Sequence, residues 1–482
     1  MRKFINLTMK LIIMRKLKPS RYNLTVPSST NLVLIYNTLS GAILRCNSKF
    51  VADLNTKNLD ADLEKIMHEQ GFLVSPDTDE LAVYRGIHNH WKSGKEKVEF
   101  NMLLTYDCNF ACPYCYQGRG EAGKKIHGFK SMSPSMISSF KEFVKMTVLE
   151  RNPKTLELIL YGGEPMLRAY DAMRTTDELS EWVNDVGMKF KLQMLSNGSL
   201  ITKEFIEWAD QFRMRLQVPI DGDRDMHNKM RFYVKDKRGS FDDVTDGVLS
   251  FVRGTNVETH IRISLTNETY PTMINMLDQL KSKDLTHIYT DFCYITAFTE
   301  ACDAYKNHVI PDTKLFSVMP ELWRAAHERG FRLDIRPSPQ ALPCSSIADG
   351  SYIIDPFGDV YKCWELVGQK KHVVGTLSDN GVFTKTAVYG DVLKRDPTMI
   401  DQCSRHIFLP SCAGGCVCKA SWLHNTYHAA GCGTENFLLP DKVKLFAELA
   451  KSPKTLVMSD GLFAQLVDGR IEPKMKHCYT LV

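Results

Sequence analysis

Cys108-Asn109-Phe110-Ala111-Cys112-Pro113-Tyr114-Cys115 puts three thiols within eight residues, with three residues and then two between them. The run follows an apolar segment, residues 98–105, that reads as a buried strand. A loop leaving a strand can wrap three thiolates around one face of an iron–sulfur cluster. A four-iron cluster takes four ligands, so one iron is left for a small molecule. The alternative is zinc with a fourth ligand from elsewhere, but structural zinc sites favour paired two-cysteine knuckles.

Working outward, apolar strands alternate with helix-length segments from residue 97 to about 335. Strands are predicted at 156–161, 190–195, 215–220, 258–265 and 287–292. Helices are predicted from 133 towards 149 and at 202–212, 272–283 and 313–329. Ser133 is a natural N-cap and Pro134 suits the first turn. Repeated strand–helix units predict a parallel sheet. Six of them suit an α/β fold with a partial (β/α)6 barrel, whose active site lies at the carboxyl ends of the strands.

The motifs stand at those ends. Tyr161-Gly162-Gly163-Glu164-Pro165 follows the second strand, where two glycines let the backbone approach a ligand and Glu164 is an acidic partner for an ammonium group. Ser196-Asn197-Gly198 ends the third strand, and turn chemistry alone would also select these residues. Gln217-Val218-Pro219-Ile220-Asp221-Gly222 ends the fourth, followed by His227 and Arg231. Asp221 is a candidate base or organiser of the site, and equally a turn cap.

The cysteine spacing and the Gly-Gly-Glu-Pro run resemble the radical S-adenosylmethionine (radical SAM) family. The resemblance implies that Cys108, Cys112 and Cys115 hold a [4Fe–4S] cluster whose open iron is chelated by SAM. It implies a SAM site formed by Tyr114, Gly162, Gly163, Glu164, Pro165, Ser196 and Asn197, with Glu164 at the SAM amino group. Peptide-modifying members commonly have Ser where this chain has Pro219.

A second cysteine field begins at Cys344. Thirteen residues separate Cys344 from Gly358 and four separate Gly358 from Cys363, with a predicted hairpin turning on Pro356-Phe357-Gly358-Asp359. Cys403, His406, Cys412, Cys416 and Cys432 follow, and Gly414-Gly415 allows the tight backbone that neighbouring ligands require. This field resembles the SPASM extension, except that His406 stands at a cysteine position. The resemblance implies two auxiliary [4Fe–4S] clusters. Cys344, Cys363 and Cys416 would hold the first, and Cys403, His406, Cys412 and Cys432 the second. The first set is one ligand short; either Cys418 completes it or an iron stays open for a substrate thiolate. A zinc ribbon is the other reading of this field. Cys46, Cys293, Cys302 and Cys478 stand alone and read as ordinary thiols.

Residues 31–36 and 42–45 form a predicted hairpin, followed by a helix at 59–69 and a closing strand at Gly71-Phe72-Leu73-Val74. This order resembles the winged-helix element that recognises precursor peptides by adding them to a sheet edge; a plain cap on the enzyme is the alternative. The expected organisation is therefore a basic tail at 1–20, a recognition domain and linker at 21–95, the barrel at 96–335, the SPASM extension at 336–440, and a helix and tail at 441–482.

Composition narrows the class. The 482 residues carry 44 % hydrophobic and 24 % charged side chains, ordinary for a soluble globular protein. A net charge of +5 is too mild at this length to argue for nucleic acid. Fourteen cysteines, clustered at short spacings, read as metal sites in a reducing compartment. No signal peptide or membrane-length apolar run is found, so a cytoplasmic location is expected. The expected enzyme is a radical SAM/SPASM maturase of a ribosomally made, Cys-containing precursor with a leader. It would form a thioether and draw electrons from a flavodoxin- or ferredoxin-type donor. Anaerobic sulfatase maturation is the alternative within the family, and a non-catalytic iron–sulfur or zinc protein the alternative outside it.

Overall fold

The structure is a computed structural model that describes residues 17–29, 31–56, 58–117, 128, 130–297, 305–433, 435–450, 453–459, 462–468 and 474–475. Cys302 and Cys478 lie outside the described residues. Near the amino end come strands β1 (Lys18–Pro19), β2 (Asn23–Ser29), β3 (Leu32–Asn37) and β4 (Ile43–Asn47), helices Ser48–Thr56 and Ala61–Glu69, and strand β5 (Leu73–Val74). The predicted hairpin is β3–β4, paired from Leu32 opposite Asn47 to Tyr36 opposite Ile43. Its turn is set by Asn37, whose side-chain oxygen accepts from the N–H groups of Leu39 and Ser40. The Gly71–Val74 strand does not join this hairpin: Leu73 and Val74 pair with Pro19 and Lys18.

Helix Glu80–Lys92 precedes the barrel, capped by Asp79 on the N–H groups of Leu81 and Ala82. It docks on the far part of the chain, where the Tyr84 hydroxyl donates to Gln340 O at 3.2 Å and His88 Nδ1 meets Ala341 O at 2.9 Å.

The next six strands are β6 (Lys97–Leu103), β7 (Thr155–Tyr161), β8 (Lys189–Leu195), β9 (Met214–Pro219), β10 (Glu258–Leu265) and β11 (Tyr289–Tyr294). They are neighbours in chain order and all parallel. Helices cross between successive strands, so a strand such as β7 is buried from Leu156 to Tyr161, with Glu157 the one charged residue in the run and ion-paired with Lys97. The first crossover helix, Pro134–Arg151, starts where predicted: Ser133 Oγ accepts from Met136 N at 3.1 Å. This is the expected α/β arrangement, with β-strand ends at one rim.

After β12 (Gln340–Leu342), strands β13 (Ser351–Ile354) and β14 (Asp359–Tyr361) form the predicted hairpin. Strand β13 also pairs in parallel with the free edge of β6. Together with β15 (Gly375–Leu377) and β16 (Phe383–Lys385) it extends the barrel sheet to ten strands. The second cysteine field is thereby built onto the rim of the first.

The C-terminal segment does more than close the chain. Helix Glu435–Leu449 is followed by β17 (Lys454–Ser459) and β18 (Leu462–Asp468), and β18 pairs antiparallel with β4. The N-terminal sheet therefore has the order β17-β18-β4-β3-β2. Ala464 and Leu466 pack among Ile35, Leu44, Phe50 and Met67. Both stretches read as tails, 1–20 and 441–482, thus contribute strands. Among the described residues no helix is long and apolar enough to cross a membrane.

Candidate functional site

The cysteine loop leaves β6 at the strands' carboxyl rim and is pinned by backbone contacts to the glycine motif. Gly163 N donates to Thr105 O at 2.7 Å, and Glu164 N to Asp107 O at 2.8 Å. A Cβ on Gly163 would lie 2.1 Å from Asp107 O, and one on Gly162 would lie 2.6 Å from Thr105 O. The glycines therefore admit the cysteine loop itself, and both also line a cavity shared with Cys108, Cys112 and Cys115. Phe110 N donates to Cys108 Sγ at 3.4 Å, and Arg231 Nη1 to Cys112 Sγ at 3.9 Å. Burial, reinforced by Cys112, pushes the Cys108 thiol up to about 12. Three thiols on one loop, with donors to two sulfurs and a side-chain-free approach, fit the open face of a cluster. Among the described residues no three His, Cys, Asp or Glu side chains close in on the point a single metal ion would occupy.

Glu164 departs from its expected role. It is fully buried and absent from the cavity wall. Its Oε1 accepts from Met166 N and Ser196 Oγ, both at 2.9 Å, and its Oε2 from Asn197 N at 2.6 Å. The carboxylate thus caps the short turn Pro165–Arg168 and ties the end of β7 to the end of β8. Burial raises its pKa to about 7 against those three donors. The carboxylate thereby fixes Ser196 and Asn197, which do line the cavity. Pro165 begins the capped turn and is buried behind the site. Glu164→Ala strands three donors, and a loss of about 3 kcal/mol is expected at roughly 1 kcal/mol or more for each unmade bond. Thermal melting checks this, and an unchanged Tm would show that water replaces the carboxylate.

Asp221 is also fully buried and does not face the cavity. It accepts from Arg231 Nε, the Tyr114 hydroxyl and Ser264 N. Although burial pushes its pKa upward, the Arg231 guanidinium and the Tyr114 hydroxyl win and hold it below the usual carboxylate range. A carboxylate so engaged holds Arg231, Tyr114 and the end of β10 together. His227 stands behind it, accepting from Asp221 N at Nδ1 and meeting Ser240 Oγ at 3.1 Å. Arg231, placed by this network, faces both the cavity and Cys112. Arg262 and Ser264 of β10, Gln117, Gln217 and Thr296 complete much of the polar wall. Arg231, Gln217 and Gln117 among these stood beside a motif in the sequence; Arg262, Ser264 and Thr296 carry no local signal.

The second cysteine field opens onto the same cavity. The Trp364 ring packs edge-on against Tyr161, with centroids 4.0 Å apart, which sets Cys363 beside the glycine motif. Glu365 is buried in the cavity wall, and the Cys418 thiol donates to its Oε2 at 3.6 Å. Burial raises Glu365 to about 7. Cys418 packs beside Cys363, with Cys416 against them, and Cys344 lies within electrostatic reach of Cys363. Four thiols are thus gathered: Cys344, Cys363, Cys416 and Cys418. Cys403, Cys412 and Cys432 form a second group. His406 is not drawn into it. Its ring is exposed and packs on Phe408, with centroids 5.1 Å apart. Cys46 and Cys293 are buried in strands away from both groups, as lone thiols.

Residues 102–289 match the Radical SAM superfamily. The TigE radical SAM cyclopropyl synthase of Paramaledivibacter caminithermalis is 21 % identical over 250 residues, 46 % of this chain and 52 % of TigE. The chain thus spans about half the length of that relative. The cysteine-type anaerobic sulfatase-maturating enzyme of Clostridium perfringens strain 13 is 21 % identical over 326 residues, 64 % of this chain and 85 % of that enzyme. The solved structure of native anSMEcpe with bound AdoMet superposes with a TM-score of 0.56 at 16 % identity, covering 72 % of this chain and 98 % of that one. The likeness to the radical SAM superfamily covers residues 102–289, the segment that holds the cysteine loop and the glycine motif.

Proposed function

We propose that this enzyme modifies a ribosomally made peptide, joining a cysteine sulfur to an unactivated carbon as a thioether. The observation that carries the reading is the single cavity reaching from the Cys108–Cys112–Cys115 loop to Glu365, behind which Cys418 and Cys363 lie. Hydrogen removal at one end and electron acceptance at the other suit a net reaction that takes one hydrogen from C–H and one from S–H and closes C–S. When bound, the cluster and SAM supply a primary carbon radical able to take hydrogen from an unactivated carbon. The chain's own part is to orient and exclude. Ser196 and Asn197 are held by Glu164, Arg231 is held by Asp221, and the apolar wall of Phe110, Leu195 and Ile295 keeps water away from the reacting carbon.

In this reading Cys108, Cys112 and Cys115 ligate the SAM-binding cluster. Cys344, Cys363, Cys416 and Cys418 ligate the first auxiliary cluster, and Cys403, Cys412 and Cys432 belong to the second. Cys418 then leaves no open iron in the first auxiliary cluster for a substrate thiolate. The N-terminal sheet would take a leader peptide on an outer strand. With β4 covered by β18, those outer strands are β2 and β17.

Formylglycine formation is the second reading. It is favoured by the extent of the match to the sulfatase-maturating enzyme, 85 % of that protein, and by the likeness to anSMEcpe, which has also been solved with a bound Cp18Cys peptide. Co-expression with a Cys-containing peptide encoded beside the gene, followed by mass spectrometry, separates the two. A thioether removes two hydrogens. Conversion of Cys to formylglycine also exchanges sulfur for oxygen. An unmodified peptide, under conditions where the enzyme releases 5′-deoxyadenosine, would overturn both readings for that substrate.

A further inference from the structure

Arg395 follows helix Ala387–Lys394 and turns inward. Its side chain is fully buried, the largest such side chain in the described structure. Nη1 donates to Tyr427 O and to Ala429 O at 2.6 Å, and Nη2 donates to Gly414 O at 2.7 Å. Its Nε has no partner. All three acceptors are neutral carbonyls, so the guanidinium keeps its full charge in a dry site. A buried cation without a counter-charge is one of the more expensive features a fold can hold. Arg231 beside the first cysteine loop makes the contrast, because its charge is met by Asp221.

The acidic groups that do surround Arg395 are thiols, and they come from both auxiliary sets. Cys403 and Cys412 belong to one, and Cys344 and Cys416 to the other; together they oppose the downward push of burial on its pKa. Its carbonyl partners lie in the two loops that carry ligands. Gly414 stands two residues before Cys416, and Ala429 three before Cys432. These loops are zipped together, with Cys416 N donating to Gly431 O at 2.8 Å and Gly431 N to Gly414 O at 3.0 Å. The approach leaves no room for a side chain at Gly415, where a Cβ would lie 2.1 Å from Gly431 O. Lys92 Nζ in turn donates to Arg395 O at 2.7 Å, fixing the arginine's own backbone.

We propose that Arg395 is a positioning residue shared by both auxiliary clusters: it clamps their two ligand loops and its uncompensated charge makes both clusters easier to reduce. The proposal rests on the auxiliary-cluster reading above. Thiolate-ligated clusters carry net negative charge, and net charge and nearby hydrogen bonds are among the main determinants of cluster potential. A cation between two clusters favours the reduced form of each, which suits a pair that must accept an electron from a substrate radical.

The test is iron analysis and an electron-paramagnetic-resonance redox titration of the anaerobically reconstituted full chain, as wild type, Arg395→Gln and Arg395→Lys. The wild type should hold about twelve iron, from three four-iron clusters; about four would overturn the auxiliary-cluster reading itself. With that count met, Arg395→Gln should lower both auxiliary midpoints, or shed both clusters together, and leave the SAM-binding cluster unmoved. Arg395→Lys should hold the midpoints near wild type. A change in one auxiliary cluster alone, or in neither, overturns the sharing. Equal shifts in Gln and Lys variants overturn the role of charge.

Discussion

Alanine at Cys108, Cys112 and Cys115 together is expected to remove about four iron per chain and to bring reductive SAM cleavage to background, with the auxiliary iron retained. The structure separates the two effects. The three thiols sit on one loop at the end of β6, while the thiols of the second field are carried by the extension beyond β12. The loop's backbone is held by the glycine motif rather than by the thiols, through Gly163 N to Thr105 O and Glu164 N to Asp107 O. The variant should therefore fold. The measurement is iron content and 5′-deoxyadenosine release after anaerobic reconstitution with dithionite. Wild-type cleavage by the triple variant would end the assignment of this loop.

Truncation after residue 452 is expected to unfold the N-terminal sheet while sparing the barrel. Strand β18 covers the edge of β4 through pairs such as Ala464 with Cys46 and Leu466 with Leu44. Leu466 and Val467 are buried, and at roughly 2 kcal/mol for each such side chain their loss alone costs about 4 kcal/mol. The barrel core draws on none of β17 or β18. Limited proteolysis should cut within residues 17–74 in the truncated chain and not in the full one, while uncoupled SAM cleavage persists. Equal protease resistance would mean that the sheet stands without these strands. The same geometry governs any test of leader binding. Deleting residues 21–79 leaves β17 and β18 without the strand they pair with, so charged substitutions on the exposed edges of β2 or β17 are the cleaner probe of strand addition.

The barrel was legible because its signals are local. Residues 158–161 are an apolar run since both faces of β7 are covered, and a Ser-Pro pair announces the helix at 134 whatever lies around it. The glycine motif was legible as a place of close approach, although the partner that approaches is the cysteine loop. The partners of Glu164 were not legible for the same reason. Its type and position are in the chain, but two of the three donors it faces come from Ser196 and Asn197, about thirty residues further on. His406 fits a spacing, yet its ring is turned onto Phe408.

The amino-acid sequence by itself determined the cysteine-bearing loops, the order of the barrel's strands and helices, and the likeness of residues 102–289 to the radical SAM superfamily. Each follows from residue types a few positions apart, whose backbone preferences and spacings are short-range properties. Only the tertiary structure decided that Cys418 joins Cys363, that Glu365 brings the second cysteine field to the first cavity, that the last strands complete the first sheet, and that Arg395 stands between two sets of thiols. These pairings join residues brought together by packing rather than by neighbouring sequence. Their free energy comes from burial and from the pairing of desolvated charge, which no short stretch of chain can express alone.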